Sequence, residues 1–190
     1  MNLFIATKNL NKIKDYKNLI CNYDLDINLI TENDLGIEIP EVEENGLTYK
    51  ENAQIKARFT YKIVNMPVLA DDSGMEVKAL NGEPGIYSSR YESTDEKRVN
   101  KVLDKMKDIN DRSARFICAI CYISETGEET TVQGECKGQI ALKASEVKGF
   151  GYTPIFQVSN GKTFSELDDE TRNKINHRND AFKQIVEKLK

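Results

Sequence analysis

The chain has no apolar run long enough to cross a bilayer. Its longest, Phe116 to Ile123, falls far short of the roughly 20 residues a spanning helix needs. The apolar opening Leu3 to Ala6 runs straight into Thr7 and Lys8 instead of a cleavage site, so a cytoplasmic protein without a membrane partner is expected. An excess of positive charge is also missing. The 27 Lys and Arg residues face 31 Asp and Glu, a formal net charge of -4, which excludes broad attraction to nucleic acid or anionic lipid. Any anionic ligand must meet a local basic cluster. Internal repeats, low-complexity tracts and proline-rich linkers are absent, so no internal domain boundary is visible. Cysteine is scarce, with Cys21, Cys118, Cys121 and Cys136 alone. Cys118 and Cys121 have C-x-x-C spacing, yet they sit in Phe116-Ile-Cys-Ala-Ile-Cys-Tyr-Ile123, which reads as a buried strand. Residues three apart on a strand project to opposite faces and cannot share one ion. All four are expected to be small apolar core residues.

What is present, 190 residues of which 39% are hydrophobic, suffices for one real core. A short strand at Leu3 to Ala6 leads through a polar loop to a helix with Ile13, Tyr16, Leu19 and Ile20 inward. A second short strand is expected at Ile27 to Ile30. The acidic segment Pro40-Glu-Val-Glu-Glu-Asn-Gly46 reads as a loop. Thr48 and Glu51 form a capping-box pair opening a helix to Val64, which Pro67 terminates. Val68 to Ala70 reads as a buried strand ending at Asp71-Asp72-Ser73-Gly74. A helix follows around Val99, Leu103 and Met106, then the best strand of the chain, Arg115 to Ile123, and a hairpin at Thr126-Gly127 into Thr130–Gly134. Ile155-Phe156 is a last strand before one C-terminal helix with Ala181, Phe182, Ile185, Val186 and Leu189 inward. Interleaved strands and helices of this kind give an α/β fold with a mixed sheet.

Five features carry chemistry. The loop Thr7, Lys8, Asn9, Leu10, Asn11, Lys12 lies between a strand and a helix, where free N–H groups and the helix dipole cradle phosphate; a plain helix cap is the alternative. Glu43 and Glu44 in a loop, with Asp71 and Asp72 at a strand end, supply the hard oxygen donors by which proteins hold magnesium. Strand alternation turns the two aspartates opposite ways, so one of them faces a given cleft; a turn-capping pair beside Gly74 is the other reading. Asn52 and Lys56, four apart, share a helix face, and Lys56 either reaches a phosphate or snorkels to solvent. Gly149-Phe150-Gly151-Tyr152-Thr153-Pro154 lets a flat ligand approach the backbone and stack on an aromatic ring, or is a buried loop. His177, the only histidine, precedes Arg178, which suits a base carbonyl or a phosphate as well as a surface cap.

In this order the five features resemble the inosine triphosphatase family, the non-standard purine nucleoside triphosphate pyrophosphatases. The resemblance spans the chain and rests on Ala6-Thr-Lys-Asn-Leu-Asn-Lys12, Glu44-Asn-Gly46, Thr48-Tyr-Lys-Glu-Asn-Ala-Gln-Ile-Lys-Ala57, Leu69-Ala-Asp-Asp-Ser-Gly74, Pro84-Gly-Ile-Tyr-Ser-Ser-Arg-Tyr91, Gly149-Phe-Gly-Tyr152 and Asn176-His-Arg178. It implies an elongated α/β domain over residues 1–190 with a central mixed sheet, a cleft between two lobes, and a homodimer. Asp72 is implied as general base and, with Glu44, as Mg2+ ligand; Lys12 and Lys56 as the triphosphate clamp; Ser73 as a substrate contact; and Phe150 to Thr153 with His177 and Arg178 as the base pocket. Water would attack the α-phosphorus while magnesium and lysines neutralise the leaving pyrophosphate. The six-position oxygen of hypoxanthine or xanthine would accept from Arg178 or a backbone N–H, where adenine's amino group would leave a buried donor unpaired at about 1–3 kcal/mol.

Three departures stand out. Thr153 replaces the family's usual aspartate, Lys8 and Asn11 replace loop glycines, and Arg172 stands for a lysine, which changes hydrogen-bond geometry at that contact. Two further readings stay open: the same chemistry on a modified pyrimidine or a standard purine, and nucleotide binding without catalysis.

Overall fold

The first helix begins where Asn9 lends its side chain to the backbone. Its Oδ1 accepts from the N–H groups of Asn11 and Lys12, satisfying two of the donors that every helix start leaves open. In the computed structural model, which describes residues 1–190, the elements in chain order are β1 (Asn2–Ile5), α1 (Leu10–Asn22), β2 (Asn28–Ile30), α2 (Glu32–Leu35), α3 (Tyr49–Val64), β3 (Val68–Val77), α4 (Asp95–Lys105), β4 (Ser113–Ile123), β5 (Glu129–Ile140), β6 (Phe156–Gln157), α5 (Asp169–Ile175), α6 (His177–Phe182) and α7 (Val186–Leu189). The six strands form one sheet in the order β2-β1-β3-β4-β5-β6. β1 runs parallel to β2 and β3, and β6 antiparallel to β5, so the sheet is mixed, as expected.

The chain divides into two compact units. One comprises Met1–Asp72, Cys118–Gly134 and Arg178–Lys190, the other Ser73–Ile117 and Glu135–His177. The core of the first gathers Leu3 and Ile5 of β1, Tyr16, Leu19 and Ile20 of α1, Leu69 of β3, Cys118 and Ile120 of β4, and Phe182 and Ile185. Each such side chain taken from water contributes about 1.5–3 kcal/mol. The core of the second joins Met75 and Val77 of β3, Val99 and Val102 of α4, Phe116, Ile140, Ile155, Phe156 and Phe164.

The capping box at Thr48 and Glu51 forms as the sequence indicates, and α3 ends at Asn65, whose φ of 48° is left-handed. Three expectations need correction. β3 does not stop at Ala70 but continues to Val77, so Asp71 and Asp72 lie inside a strand and not at its end. The expected C-terminal helix opens at His177, as read, but is broken: α6 gives way to α7 through i→i−3 bonds from Gln184 and Ile185. Such tighter turns keep Ala181, Phe182, Ile185, Val186 and Leu189 buried while breaking the α-ladder. Finally, Cys21 is exposed on α1, whereas Cys118, Cys121 and Cys136 are buried and unbridged.

Candidate active site

Within the first unit the strand-borne aspartates are the organising groups. Alternation along β3 turns Asp71 and Asp72 to different partners. Asp71 is buried to 1% exposure. Its Oδ2 lies 3.0 Å from Nζ of Lys12 in the first turn of α1 and 3.4 Å from Nη2 of Arg178 in α6. The thiol of Cys118 donates to the same oxygen at 3.7 Å. Arg178 also pairs through Nη1 with Asp15 of α1 at 2.5 Å, and its guanidinium lies 5.7 Å from the centre of the Tyr16 ring. Burial on its own would raise the Asp71 carboxyl, but Lys12, Arg178 and Lys56 outweigh it and hold the group well below the usual carboxylate range. Burial likewise pushes the Cys118 thiol up to about 12, so it serves as a weak donor and not as a nucleophile.

Asp72 faces α3. Asn52, wholly buried, donates its amide to Oδ2 at 3.2 Å, and Nζ of Lys56 one turn on lies 3.9 Å from Oδ1. The same Nζ is 3.2 Å from Oε2 of Glu44, so one lysine brings together two carboxylates 28 residues apart in the chain. Here burial wins: the Asp72 carboxyl is raised, with Lys56 and Lys12 opposing and Glu44 adding to the rise.

The residues named from the sequence are thus partly assembled. Lys12, Glu44, Lys56, Asp72 and Arg178 belong to one unit and converge around the aspartate pair. At the start of α1, the N–H groups of Asn11 and Lys12 are taken by Asn9, and in the loop before it that of Asn9 by Thr7 Oγ1 at 3.2 Å. Leu10 is exposed, and Lys8 turns aside to the Ile39 carbonyl at 3.2 Å and to Glu32 at 3.5 Å. The sequence does not single out Asp15 or the junction role of Asn52. The only signals are their helical spacings, Asp15 three after Lys12 and Asn52 four before Lys56.

The remaining named residues belong to the second unit. Ser73 follows Asp72 on β3 and is half-buried. Phe150 is partly exposed, and Gly151 adopts a φ of 57° and donates its N–H to Asp95 at 2.7 Å, a conformation that favours glycine. Tyr152 is buried with its hydroxyl donating to the Ser88 carbonyl at 2.9 Å. Ser88, in the Pro-Gly-Ile-Tyr-Ser run, accepts from the Met75 N–H at 2.9 Å and donates to the Gly85 carbonyl at 2.6 Å. Thr153, also buried, donates its hydroxyl to the Phe150 carbonyl at 2.8 Å. The His177 ring stacks on Phe116 at 4.9 Å, and Arg172 pairs with Asp169 at 2.5 Å.

Comparison with known proteins gives the chain its family. The model of the Ham1 family matches residues 3–188. The chain belongs to the Ham1 family. Among the relatives of this Ham1 chain is the dITP/XTP pyrophosphatase of Prochlorococcus marinus (strain NATL1A), 44% identical over 99% of this chain and 93% of the relative. The dITP/XTP pyrophosphatase of Escherichia coli (strain K12) is 41% identical over 98% and 96%. Among solved structures, the Ham1 protein of Staphylococcus aureus is similar with a TM-score of 0.87 and 38% identity, covering 100% of this chain and 98% of that one.

Proposed function

We propose that the protein is a nucleoside triphosphate pyrophosphatase that hydrolyses non-standard purine nucleotides, the triphosphates of inosine, deoxyinosine and xanthosine, to the monophosphate and pyrophosphate, and so cleanses the nucleotide pool. The observation that carries this reading is the single lysine, Lys56, shared by Glu44 and Asp72, in a family whose relatives named above are dITP/XTP pyrophosphatases.

Asp72 is the proton acceptor. One oxygen holds the Asn52 amide, and the other takes a proton from water as the water oxygen bonds to the α-phosphorus. The bridging α–β P–O bond breaks and its electron pair leaves with pyrophosphate. Lys12 and Lys56 stabilise the charge gathering on the phosphate oxygens. Both are already held in place by carboxylates, which limits the side-chain entropy lost when a triphosphate binds.

Glu44 and Asp72 also suit magnesium. No group of three or more His, Cys, Asp or Glu side chains gathers as a metal cage, and magnesium takes one or two carboxylates and fills its shell with water and substrate phosphate. When bound, the ion supplies charge neutralisation at the phosphates. The family resemblance supports a homodimer working in the cytoplasm, and sedimentation velocity tests the first of these. No helix is long and apolar enough to cross a membrane.

Thr153 gives a second reading some weight. Its hydroxyl is spent on the Phe150 carbonyl, and no charged group stands at that position to read a base edge, which favours the same chemistry on a different nucleotide. A pyrophosphate-release assay over the triphosphates of inosine, xanthosine, guanosine, adenosine and uridine decides between the two. The main reading requires inosine or xanthosine first in the ranking, and no release from any of the five overturns it.

A further inference from the structure

The side chain of Asn52 makes two contacts of opposite kind from a fully buried position on α3. Its Oδ1 accepts from the peptide N–H of Gly46 at 2.9 Å, and its Nδ2 donates to Asp72 Oδ2 at 3.2 Å. The partners fix the amide's orientation. A peptide N–H only donates and an ionised carboxylate only accepts, so a flipped amide loses both bonds. A buried amide costs free energy unless both ends are paired, and here each end is paired to a different part of the site.

Gly46 closes the segment that carries Glu44. The next two N–H groups, of Leu47 and Thr48, both go to Glu51 Oε2, at 2.6 and 3.1 Å. Three successive peptide donors are therefore tied to two consecutive side chains in the first turn of α3. The junction leaves no room for a side chain on the segment, because a Cβ on Gly46 would come to 2.7 Å from both Asn52 Oδ1 and Glu51 Cβ. Lys56, one turn further along α3, closes the circuit by meeting both Glu44 and Asp72.

We infer that Asn52 is a positioning residue: by bonding Gly46 at one end and Asp72 at the other, it fixes the Glu44 segment against the Asp72 carboxylate and aims the Oδ1 of Asp72 at the reacting water. This rests on Asp72 being the proton acceptor. Asn52 itself need touch neither substrate nor water.

Two variants separate the arms. Asn52→Asp keeps an acceptor for Gly46 but replaces the donor to Asp72 with a carboxylate oxygen, and Gly46→Ala drives a methyl against Asn52 from the loop side. For each, kcat and KM are measured on inosine triphosphate, the Kd of its non-hydrolysable imido analogue by calorimetry, and folding by circular dichroism. The expected result for Asn52→Asp is a fall in kcat of about ten- to a hundredfold, the usual effect of losing a partner that orients a working ligand, with the analogue's Kd held within about threefold. Gly46→Ala should fall in the same sense. Turnover within about twofold of the parent in Asn52→Asp and Gly46→Ala, or a loss confined to Kd, overturns the inference. Should the Asn52 variant not fold, Gly46→Ala in its half-buried loop decides the matter by the same kinetic criteria. Asp72→Asn is run alongside. Full turnover there removes the proton-acceptor assignment itself, whereas a dead Asp72→Asn beside an unimpaired Asn52→Asp removes the positioning role alone.

Discussion

Asp71 and Asp72 are neighbours on β3 that meet opposite surroundings: Asp71 Oδ2 lies 3.0 Å from Lys12 Nζ, with Arg178 behind it, while Asp72 Oδ2 takes the Asn52 amide. Cations hold the first carboxyl low, and burial holds the second high. One is fitted to stay ionised as part of the framework, the other to accept a proton.

Asp72→Asn should therefore lower kcat by about 10²–10⁴-fold, the contribution of a positioned general base, without costing stability at neutral pH. The raised carboxyl is more stable protonated in the fold than in the unfolded chain. Its favourable contribution is present below the unfolded value, about 3.9, and is lost as pH rises through the folded one. At pH 7 the ionised group is a burden that Asn removes. Thermal melting at pH 7 checks this, and a lower midpoint for Asp72→Asn contradicts it.

Asp71→Ala should behave in the opposite way. Removing it leaves Arg178 and Lys12 short of their shared anion, and breaking a buried pair from one side costs about 3–5 kcal/mol. Since the folded carboxyl is held low, its contribution is fully present above about 3.9, the unfolded value, and is lost as pH falls through the folded one. Urea unfolding at pH 7 and at pH 3 should show the gap between parent and variant narrowing in acid. An equal gap at both points to lost packing instead of lost charge.

Much of the fold is legible in the sequence for a physical reason. Apolar runs such as Phe116 to Ile123, and stripes such as Ala53 and Ala57, report directly on burial. Capping at Thr48 is equally local. The continuation of β3 through Asp71-Asp72-Ser73-Gly74 is hidden, because a strand tolerates two buried carboxylates only where distant groups compensate them. Those groups arrive from α1, α3 and α6, and the Asp15–Arg178 pair closes over 163 residues. Sequence spacing finds partners three or four positions away on one helix, not ones that tertiary packing brings together. Lys12, Lys56, Glu44 and Asp72 stand out through the family resemblance, and the structure adds how Asp71, Asn52 and Asp15 pair with them or their neighbours.

Lys56→Met should lower kcat/KM by about 10²–10³-fold, as for loss of one preorganised stabilising donor. It also leaves Glu44 and Asp72 without the cation they share. Steady-state kinetics with saturating magnesium checks it, and a change under about threefold shows that Lys56 only packs.

Thr153→Asp should change the ranking of nucleotides more than the overall rate, because it places a charge where a hydroxyl now serves the Phe150 carbonyl. The neighbouring Gly149→Ala should destabilise by about 1–3 kcal/mol, since its Cβ would collide with Thr153 Oγ1 and sit 3.0 Å from Ser165 Cβ. The five-nucleotide panel and a urea titration test these, and an unchanged ranking dissociates Thr153 from base choice.

Alkylation of the native protein at pH 8 should add one label, on Cys21. Cys118 and Cys121 are buried, with thiols pushed up to about 12 and about 11 by burial, and Cys136 is enclosed as well. Mass spectrometry counts the adducts, and labelling of Cys118 before unfolding contradicts the packing described.

β3 aligns with β1 so that Phe4 faces Val68 and Ile5 faces Leu69. A slip of one residue in that alignment would turn both aspartates to the opposite face of the sheet, taking Asp72 away from Asn52 and Asp71 away from Arg178. On the proposed reading, strand registration therefore decides whether Asp72 meets its partners at all, and a mispaired sheet, even one as stable as the native, would lose the arrangement that the proposed chemistry needs.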